Sequence, residues 1–302
     1  MIQFINTILI GITSGAIYSL MALSIVIIWR SSRVINFAQA GLALFSTYIG
    51  YECVKVIGNY WIALPIAVIA GALIASMIEF LFMRFLAKLH IDSPISAVAP
   101  IIVTLGLLGI IRASIAFIWG GQELRIAAPL SNIGFSIGDK TLVFSPMKLM
   151  ILFSVLIVLT ILGIIFQRTN LGLALKASSF APEISKLSGL KVDLIRNIGW
   201  ALSGGVAALA GLLQTANGSG SISPEALEFA ILLVSGFIAA VIGGLESLIG
   251  AVFGGLLLGT LVSFALMYID GGLFFISPLF ILIMVLIFRP RGLFAPKAGR
   301  HA

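Results

Sequence analysis

The composition of this 302-residue chain excludes a fold that faces water on all sides. Hydrophobic residue types make up 60% of it, charged types 10%, and the mean hydropathy is +1.20, whereas a water-soluble domain carries about 25% charged residues. Lipid is therefore the expected solvent. The net charge of +7 fits the accumulation of Lys and Arg on one side of a membrane protein, and we expect no nucleic-acid binding from it.

Cysteine and histidine offer little chemistry. The single cysteine, Cys53, excludes an intrachain disulfide and a CxxC metal site. The two histidines, His90 and His301, fall in a short loop and in the C-terminal tail. We therefore predict that the chain holds no metal or cofactor of its own and is not an enzyme.

Apolar segments long enough to approach a membrane span recur along the chain. A helix needs about 20 apolar residues to cross the hydrocarbon core. The segments lie near Ile5–Trp29, Val34–Gly50, Trp61–Met83, Ile95–Trp119, Met147–Phe166, Asn197–Ala216, Leu227–Ile242, Ala251–Ile269 and Leu273–Phe288. The second, seventh and ninth are short enough to be tilted or re-entrant. The first lacks a preceding basic residue and a small-residue cleavage site, which predicts a retained helix.

These segments predict an all-α, polytopic membrane bundle of about eight to ten transmembrane helices, with possible re-entrant half-helices. No low-complexity linker divides the chain, so residues 1–302 are interpreted as a single transmembrane domain. Glycine pairs at a spacing of four, such as Gly11 and Gly15 or Gly255 and Gly259, favour close packing between helices. Gly243 and Gly244 are expected to break the seventh span near its inner end and to free backbone groups that a polar cavity or neighbouring protein must satisfy. They are therefore candidate residues of a pathway through the membrane.

The distribution of basic residues predicts the orientation. With nine spans and an inside C-terminus, the inside segments contain Arg30, Arg33, Arg84, Lys88, Arg168, Lys176, Lys186, Lys191, Arg196, Arg289, Arg291, Lys297 and Arg300. The outside segments contain Lys55, Arg125, Lys140 and Lys148. Thirteen against four follows the positive-inside rule, so we predict an outside N-terminus and a cytoplasmic C-terminus.

Two connections are long enough to have their own structure. Residues 120–146, rich in Gly, Ser, Asn and Pro, are placed outside, where they could form a small lid; residues 167–196 are basic and placed inside. Within the inside loop, Pro182 suits the first turn of a helix and Gly189 suits its left-handed C-terminal position. Glu183 and Lys186 complement the helix dipole.

This short helix carries two apolar residues on one face. Ile184 and Leu187 are three residues apart, and a helix of about two turns is marginal alone in water. Its apolar face is therefore expected to dock on another surface, either a partner or the lipid headgroups.

Polar residues at membrane depth are the candidates for function. Arg112 lies seven residues before Trp119, about 10 Å from that end of its span. A buried charge indicates a functional role in a pathway or subunit interface, although an arginine can also reach the interface with its long side chain. Asn36 and Gln39 share a face at the start of the second span, where their amides could line a pathway or join helices.

Four blocks of this sequence resemble the permeases of branched-chain amino acid ABC transporters. They are GITSGAIYSLMALSIVIIW with INFAQAG (Gly11–Trp29 and Ile35–Gly41), TNLGLALKASSFAPEISKLSGLKVDLIRNIGWALSGGVAALAGLL (Thr169–Leu213), AAVIGGLESLIGAVFGGLLLG (Ala239–Gly259) and LFILIMVLIFRPRGLF (Leu279–Phe294). Where the family usually has Asn-Phe-Ala-His-Gly-Glu, this chain has Gln39, Ala40 and Gly41 after Ala38, and Glu246 replaces a usually small residue.

The resemblance implies a permease of the bacterial inner membrane that binds no nucleotide itself. Two such subunits, identical or homologous, would form the pathway for branched-chain or related amino acids. Two ATPases would bind from the cytoplasm at the helix containing Pro182 and Glu183, and a periplasmic solute-binding protein would deliver the substrate. The sequence agrees, since it contains no GxxxxGK[ST] phosphate loop.

Other functions were weighed against this interpretation. The missing His and Glu leave open a permease for urea, short amides or another small polar solute. An ion-coupled secondary transporter would need acidic residues at depth, and none lies near a span's midpoint. A passive channel fits the composition, whereas an intramembrane enzyme lacks a catalytic constellation.

Overall fold

The computed structural model describes residues 2–88, 95–137, 140–290 and 292–294. The predicted positions of His90, Arg291, Lys297, Arg300 and His301 lie outside these residues. The helices are α1 Ile2–Ser32, α2 Gln39–Ile57, α3 Tyr60–Ile78, a π-helix Glu79–Met83, α4 Arg84–Lys88, α5 Ile95–Trp119, α6 Pro146–Arg168, α7 Asn170–Phe180, α8 Pro182–Leu187, α9 Val192–Asn217, α10 Leu227–Gly243, α11 Leu248–Tyr268, a 3₁₀ turn Gly271–Phe274 and α12 Ile276–Phe288.

The predicted all-α membrane bundle is confirmed. Within the described residues, seven helices are long and apolar enough to cross a membrane, and each of the nine predicted spans corresponds to a helix. Helices α10 and α12 are shorter, at 17 and 13 residues. The second span was placed too early: α2 starts at Gln39 and continues to Ile57, because residues 33–38 are non-helical and Gly58, at φ 72°, ends the helix.

Helix α1 runs through the centre of the bundle. Residues 15–28 are buried without interruption, which is the pattern of a helix that is apolar on all sides and packed on all sides. It contacts α11, α9 and α10, while α9 also packs on α3 and α2. The outer helices α5, α6 and α12 expose large side chains such as Phe117, Phe153 and Phe288, as expected for surfaces that face lipid.

The helices at the centre of the bundle cross closely where they contain glycine. This confirms the prediction that the glycine pairs favour close packing between helices. A Cβ atom added to Gly15 would lie 2.8 Å from the carbonyl oxygen of Gly255, and one added to Gly204 would lie 2.3 Å from that of Gly71. No larger side chain fits these crossings between α1 and α11 and between α9 and α3. Ser19 adds an interhelical hydrogen bond, since its hydroxyl donates to the carbonyl of Val252 at 2.9 Å.

The two ends of the bundle differ in charge. At one end, which we call the basic end, Arg33 pairs with Glu246 at 2.8 Å and Arg30 lies over the Phe166 ring at 5.0 Å. This places the ends of α1 and α6 beside the α10–α11 connection. The described basic residues assigned to inside segments belong to helices and connections at this end.

The opposite end contains the four short strands of the chain's described part. Strand β1 (Leu124–Arg125) pairs antiparallel with β4 (Ser221–Ile222), and β2 (Ser136–Ile137) with β3 (Lys140–Thr141). The amide of Ile126 donates to the carbonyl of Gly220 at 2.8 Å. The loop at residues 120–146 is thereby fastened to the connection between α9 and α10.

Candidate functional site

The start of α2 is buried inside the bundle, whereas most of the segment that joins it to α1 is partly exposed. After α1 ends at Ser32, the chain turns back and α2 begins at Gln39. The side chain of Asn36 accepts a hydrogen bond from the amide of Ala38 at 2.9 Å, an Asx turn that starts the helix. Asn36 and Gln39 are both buried, at 2% and 0% exposure. The sequence therefore places a helix start and two amides at membrane depth.

A chain of hydrogen bonds fixes this junction to its neighbours. The amide of Asn36 donates to Oε1 of Gln39 at 2.9 Å, and Nε2 of Gln39 donates to Oγ of Ser203 on α9 at 2.9 Å. The Ser203 hydroxyl in turn donates to the carbonyl of Ser24 on α1 at 2.7 Å. Ser24 lies eight residues before the end of α1, about 12 Å into the bundle by helix rise.

The junction also contacts α5 and borders a small cavity. The amide of Phe37 donates to Oγ1 of Thr104 at 3.3 Å. A cavity of about 100 Å³ lies beside it, lined by Ile25, Ile35, Asn36, Phe37, Leu233, Val234 and Phe237. Its other walls are apolar, so Asn36 is the polar group at its margin. Ser24, Thr104 and Ser203 were not singled out from the sequence, because hydroxyl residues within apolar helices usually bond to their own backbone.

Arg112 lies one helix away from the junction. Helix α5 packs on α2 where Gly41 faces Leu108 and Ile111, and Arg112 borders this contact with partial exposure. Its Nε is buried and has no hydrogen-bond partner. Within residues 2–88, 95–137, 140–290 and 292–294, no carboxylate pairs with its guanidinium. The charge at this depth is left uncompensated by the chain's described residues.

Gly243 and Gly244 lie at the end of α10 and apart from the junction. The helix ends where the glycine pair was expected to interrupt it: α10 stops at Gly243, and Gly244 has φ 93°. The carbonyls that this frees are satisfied by protein, because the amides of Leu293 and Phe294 donate to Ile242 and Gly243 at 2.8 and 3.2 Å. In this structure the two glycines join α10 to the C-terminal turn.

The predicted two-turn helix is present as α8, with the predicted ends. Pro182 occupies its first turn and Gly189 has φ 84°. The amides of Gly189 and Leu190 donate to the carbonyls of Lys186 and Ser185, both at 3.0 Å, which is a Schellman C-cap.

Helix α8 turns its apolar residues outward. Ser185 is buried, whereas Ile184 and Leu187 are 67% and 89% exposed, and Glu183 and Lys186 flank them on exposed positions. Two large apolar side chains thus stand uncovered on a charged helix at the basic end.

A buried ionic cluster joins α3 to α9, and sequence analysis did not predict it. Glu79 is fully buried. It accepts hydrogen bonds from Nε of Arg196 at 2.7 Å and from the amide of Asn197 at 2.8 Å, and Nη2 of Arg84 lies 3.6 Å away. A carboxylate within an apolar run was the available signal, since such a group requires a partner when buried.

Seven helices long and apolar enough to cross a membrane, packed around a buried polar junction, are the architecture of a multi-pass membrane protein. The model of the family described as "Branched-chain amino acid transport system / permease component" matches residues 7–288. The chain belongs to this family and is a membrane permease component.

Individual proteins are similar along nearly the whole chain. The probable branched-chain amino acid transport permease protein LivH of Methanocaldococcus jannaschii is 29% identical over 287 residues, which cover 91% of this chain and 87% of that protein. The high-affinity branched-chain amino acid transport system permease protein BraD of Pseudomonas aeruginosa is 25% identical over 298 residues, which cover 96% and 95%. A solved structure, PsaBC from Streptococcus pneumoniae in complex with Fab, has 17% identity and a TM-score of 0.42, covering 98% of this chain and 91% of that one.

Proposed function

We propose that this chain is the transmembrane permease subunit of an ATP-binding cassette importer for branched-chain amino acids. The observation that carries the proposal is the family match over residues 7–288, together with relatives of that substrate class that align along more than nine-tenths of the chain. The protein would lie in the cytoplasmic membrane with its basic end and C-terminus in the cytoplasm, as the positive-inside rule favours.

ATP would be hydrolysed by separate subunits that dock on α8. The sequence has no phosphate-binding loop of the GxxxxGK[ST] type, so another chain must use the nucleotide. The exposed Ile184 and Leu187 support this docking site, because each large apolar side chain buried in an interface contributes about 1.5–3 kcal/mol. Pro182, Glu183, Lys186 and Gly189 hold or flank this face.

The substrate pathway would run between this chain and a second permease subunit, identical or homologous. We propose that Arg112 faces the pathway, where its uncompensated charge would attract the carboxylate of an amino acid. Asn36 and Gln39 would hold the start of α2 in position. The backbone N–H groups in the first turn of this helix, which begins inside the bundle, would also favour an anionic group. A periplasmic solute-binding protein would deliver the substrate to the end fastened by β1 and β4.

Reconstitution tests the function. The purified chain alone in vesicles should neither hydrolyse ATP nor accumulate solute. With the cognate ATPases and binding protein added, it should import leucine, isoleucine or valine in an ATP-dependent manner. Import of urea or short amides instead would retain the permease but replace its substrate, and accumulation driven by an ion gradient without ATPases would refute the proposal.

The docking surface has its own test with a matched control. Leu187→Ser removes an apolar side chain that no neighbour covers, so the chain should remain folded while ATPase binding weakens by at least tenfold. Ile133→Ser, at a residue that is 82% exposed in the loop at the opposite end, should leave ATPase binding unchanged. Equal binding by both variants would exclude α8 as the docking helix.

A further inference from the structure

A groove opens at the basic end between α3 and the beginning of α9. Its volume is about 580 Å³, several times the volume of the cavity at the α1–α2 junction. It is lined by Leu73, Ser76, Met77, Phe80, Arg84, Lys191, Asp193, Leu194 and Asn197. None of the residues proposed for the substrate pathway or the ATPase surface is among them.

The groove has an apolar wall and a cationic end. Leu73, Met77 and Phe80 are exposed on its α3 side, where they continue the lipid-facing surface of that helix. Arg84 and Lys191 stand at the other end, near the membrane boundary. The groove therefore has an apolar wall that suits a hydrocarbon chain and a cationic end that suits an anion. A phospholipid has the same arrangement, with acyl chains at one end and a phosphate at the other.

The arginine is oriented by its neighbours and retains free donors. Its guanidinium lies 4.9 Å from the centroid of the Phe80 ring, and Nη2 donates to the carbonyl of Asp193 at 3.4 Å. Nη2 also lies 3.6 Å from Glu79, and Nε is buried where a ligand cannot reach it. Among the five N–H donors of an arginine, the two on Nη1 have no partner in the described part of the chain and are the ones that a bound anion could use.

Acidic residues near the groove do not cancel its positive charge. Glu79 is neutralised by Arg196 at 2.7 Å, and Asp193 accepts from Arg196 Nη2 at 3.3 Å. Three basic side chains, those of Arg84, Lys191 and Arg196, thus face two carboxylates. Among the described residues, Lys191 forms no ion pair. The amino-terminal amides of α9, a 26-residue helix, add partial positive charge at the same place.

We propose that this groove is a binding site for an anionic phospholipid, with the phosphate held by Arg84 and Lys191 and one acyl chain lying along Leu73 and Met77. Basic pockets between membrane helices recognise lipid headgroups in this way. A free phosphate would use the cationic end alone and would leave the apolar wall uncovered. The lipid matches both surfaces.

Binding of phosphatidylglycerol tests the site. The full-length purified chain, freed of lipid, is titrated with phosphatidylglycerol or phosphatidylcholine, and bound lipid is counted by native mass spectrometry. We expect phosphatidylglycerol to bind at least tenfold more tightly. Because each Lys or Arg near an anionic headgroup is worth about fivefold in affinity, Lys191→Gln should weaken binding about fivefold and the double variant with Arg84→Gln about 30-fold.

Matched controls separate the groove from the general charge of this end. Arg168→Gln with Lys176→Gln removes the same charge from exposed positions of α6 and α7 and should change the affinity less than twofold. Met77→Ser should weaken the binding of phosphatidylglycerol and leave the weak binding of glycerol 3-phosphate unchanged. Lys191 is exposed and forms no ion pair within the described residues, so Lys191→Gln should leave the chain folded. Its effect on lipid binding therefore tests the site even if the Arg84 variant does not fold.

Three results would overturn the proposal. Unchanged phosphatidylglycerol binding by Lys191→Gln would remove the cationic end from the site. Glycerol 3-phosphate binding as tight as that of the lipid would indicate a soluble phosphate ligand. Disulfide cross-linking of Met77→Cys between two chains, in a Cys53→Ser background, would show that a second copy covers the groove.

Discussion

The buried carboxylate of Glu79 should be the most sensitive charged position in the bundle. It is fully buried and accepts one charge-assisted hydrogen bond from Arg196 and one from Asn197. A hydrogen bond to a charged group contributes about 1.5–3 kcal/mol and a neutral one about 1 kcal/mol. Glu79→Gln keeps the shape and one acceptor but removes the charge, so we expect it to lower the free energy of unfolding by about 2–3 kcal/mol.

Removing the arginine should cost more. Arg196→Leu leaves the buried carboxylate with the Asn197 amide and with the more distant guanidinium of Arg84, at 3.6 Å. Breaking a buried pair costs about 3–5 kcal/mol, and we expect the lower end of that range because Arg84 remains. The double variant Glu79→Leu with Arg196→Leu leaves neither charge in the core of the cluster. It should therefore be more stable than Arg196→Leu alone, even though it contains one more substitution.

Reversible denaturation of the purified chain in mixed micelles measures these differences. The matched control is Glu246→Gln, which breaks the Arg33–Glu246 pair; because these side chains are 33% and 42% exposed, the loss should stay within about 1 kcal/mol. If Glu79→Gln costs no more than Glu246→Gln, the carboxylate does not hold α3 to α9. If the double variant is less stable than Arg196→Leu, the reasoning about an unpaired buried charge is wrong.

Three further predictions concern topology, coupling and the intramembrane charge. In a Cys53→Ser background, a cysteine at Lys186 should react with a membrane-impermeant thiol reagent only in opened cells, and one at Lys140 in intact cells; the opposite labelling would reverse the orientation. Gly189→Val should insert normally but reduce transport-linked ATP hydrolysis at least tenfold, because a β-branched residue at φ 84° disrupts the C-cap; unchanged hydrolysis would separate the cap from coupling. Arg112→Leu should abolish uptake at unchanged membrane abundance while Arg112→Lys retains part of it, and wild-type uptake by the leucine variant would favour a side chain that only reaches the interface.

Local signals were sufficient for the parts of the fold that local chemistry determines. The end residues of α8 follow from Pro182 and Gly189, and the lengths of the spans follow from hydropathy. The start of α2 was predicted too early. The Asx turn before the helix depends on the side chain of Asn36, and this residue lies within a largely apolar run that was interpreted as part of the span. The burial of this helix start in turn depends on Ser203, which lies 164 residues from Gln39 in the sequence.

Long-range partners explain the remaining differences. The burial of Glu79 was not predicted, because Arg196, its partner, is 117 residues away and no local pattern links the two. Gly243 and Gly244 were expected to free backbone groups for a polar cavity or for neighbouring protein, and the chain returns at Gly292–Phe294 to occupy those groups. In both cases the residue type indicated a need for a partner, and only the tertiary structure identified it.

The glycine crossings described above restrict how the helices can move against one another. Where backbone meets backbone, as between Gly15 and Gly255 or Gly71 and Gly204, the helices cannot slide or rotate without a collision of main-chain atoms. Helices α1 and α11 should therefore move together, as should α3 and α9, and α9 also packs on α1. Helix α5 packs chiefly on α2, where Gly41 faces the side chains of Leu108 and Ile111 and not backbone atoms, so α5 is not locked to its neighbours in this way.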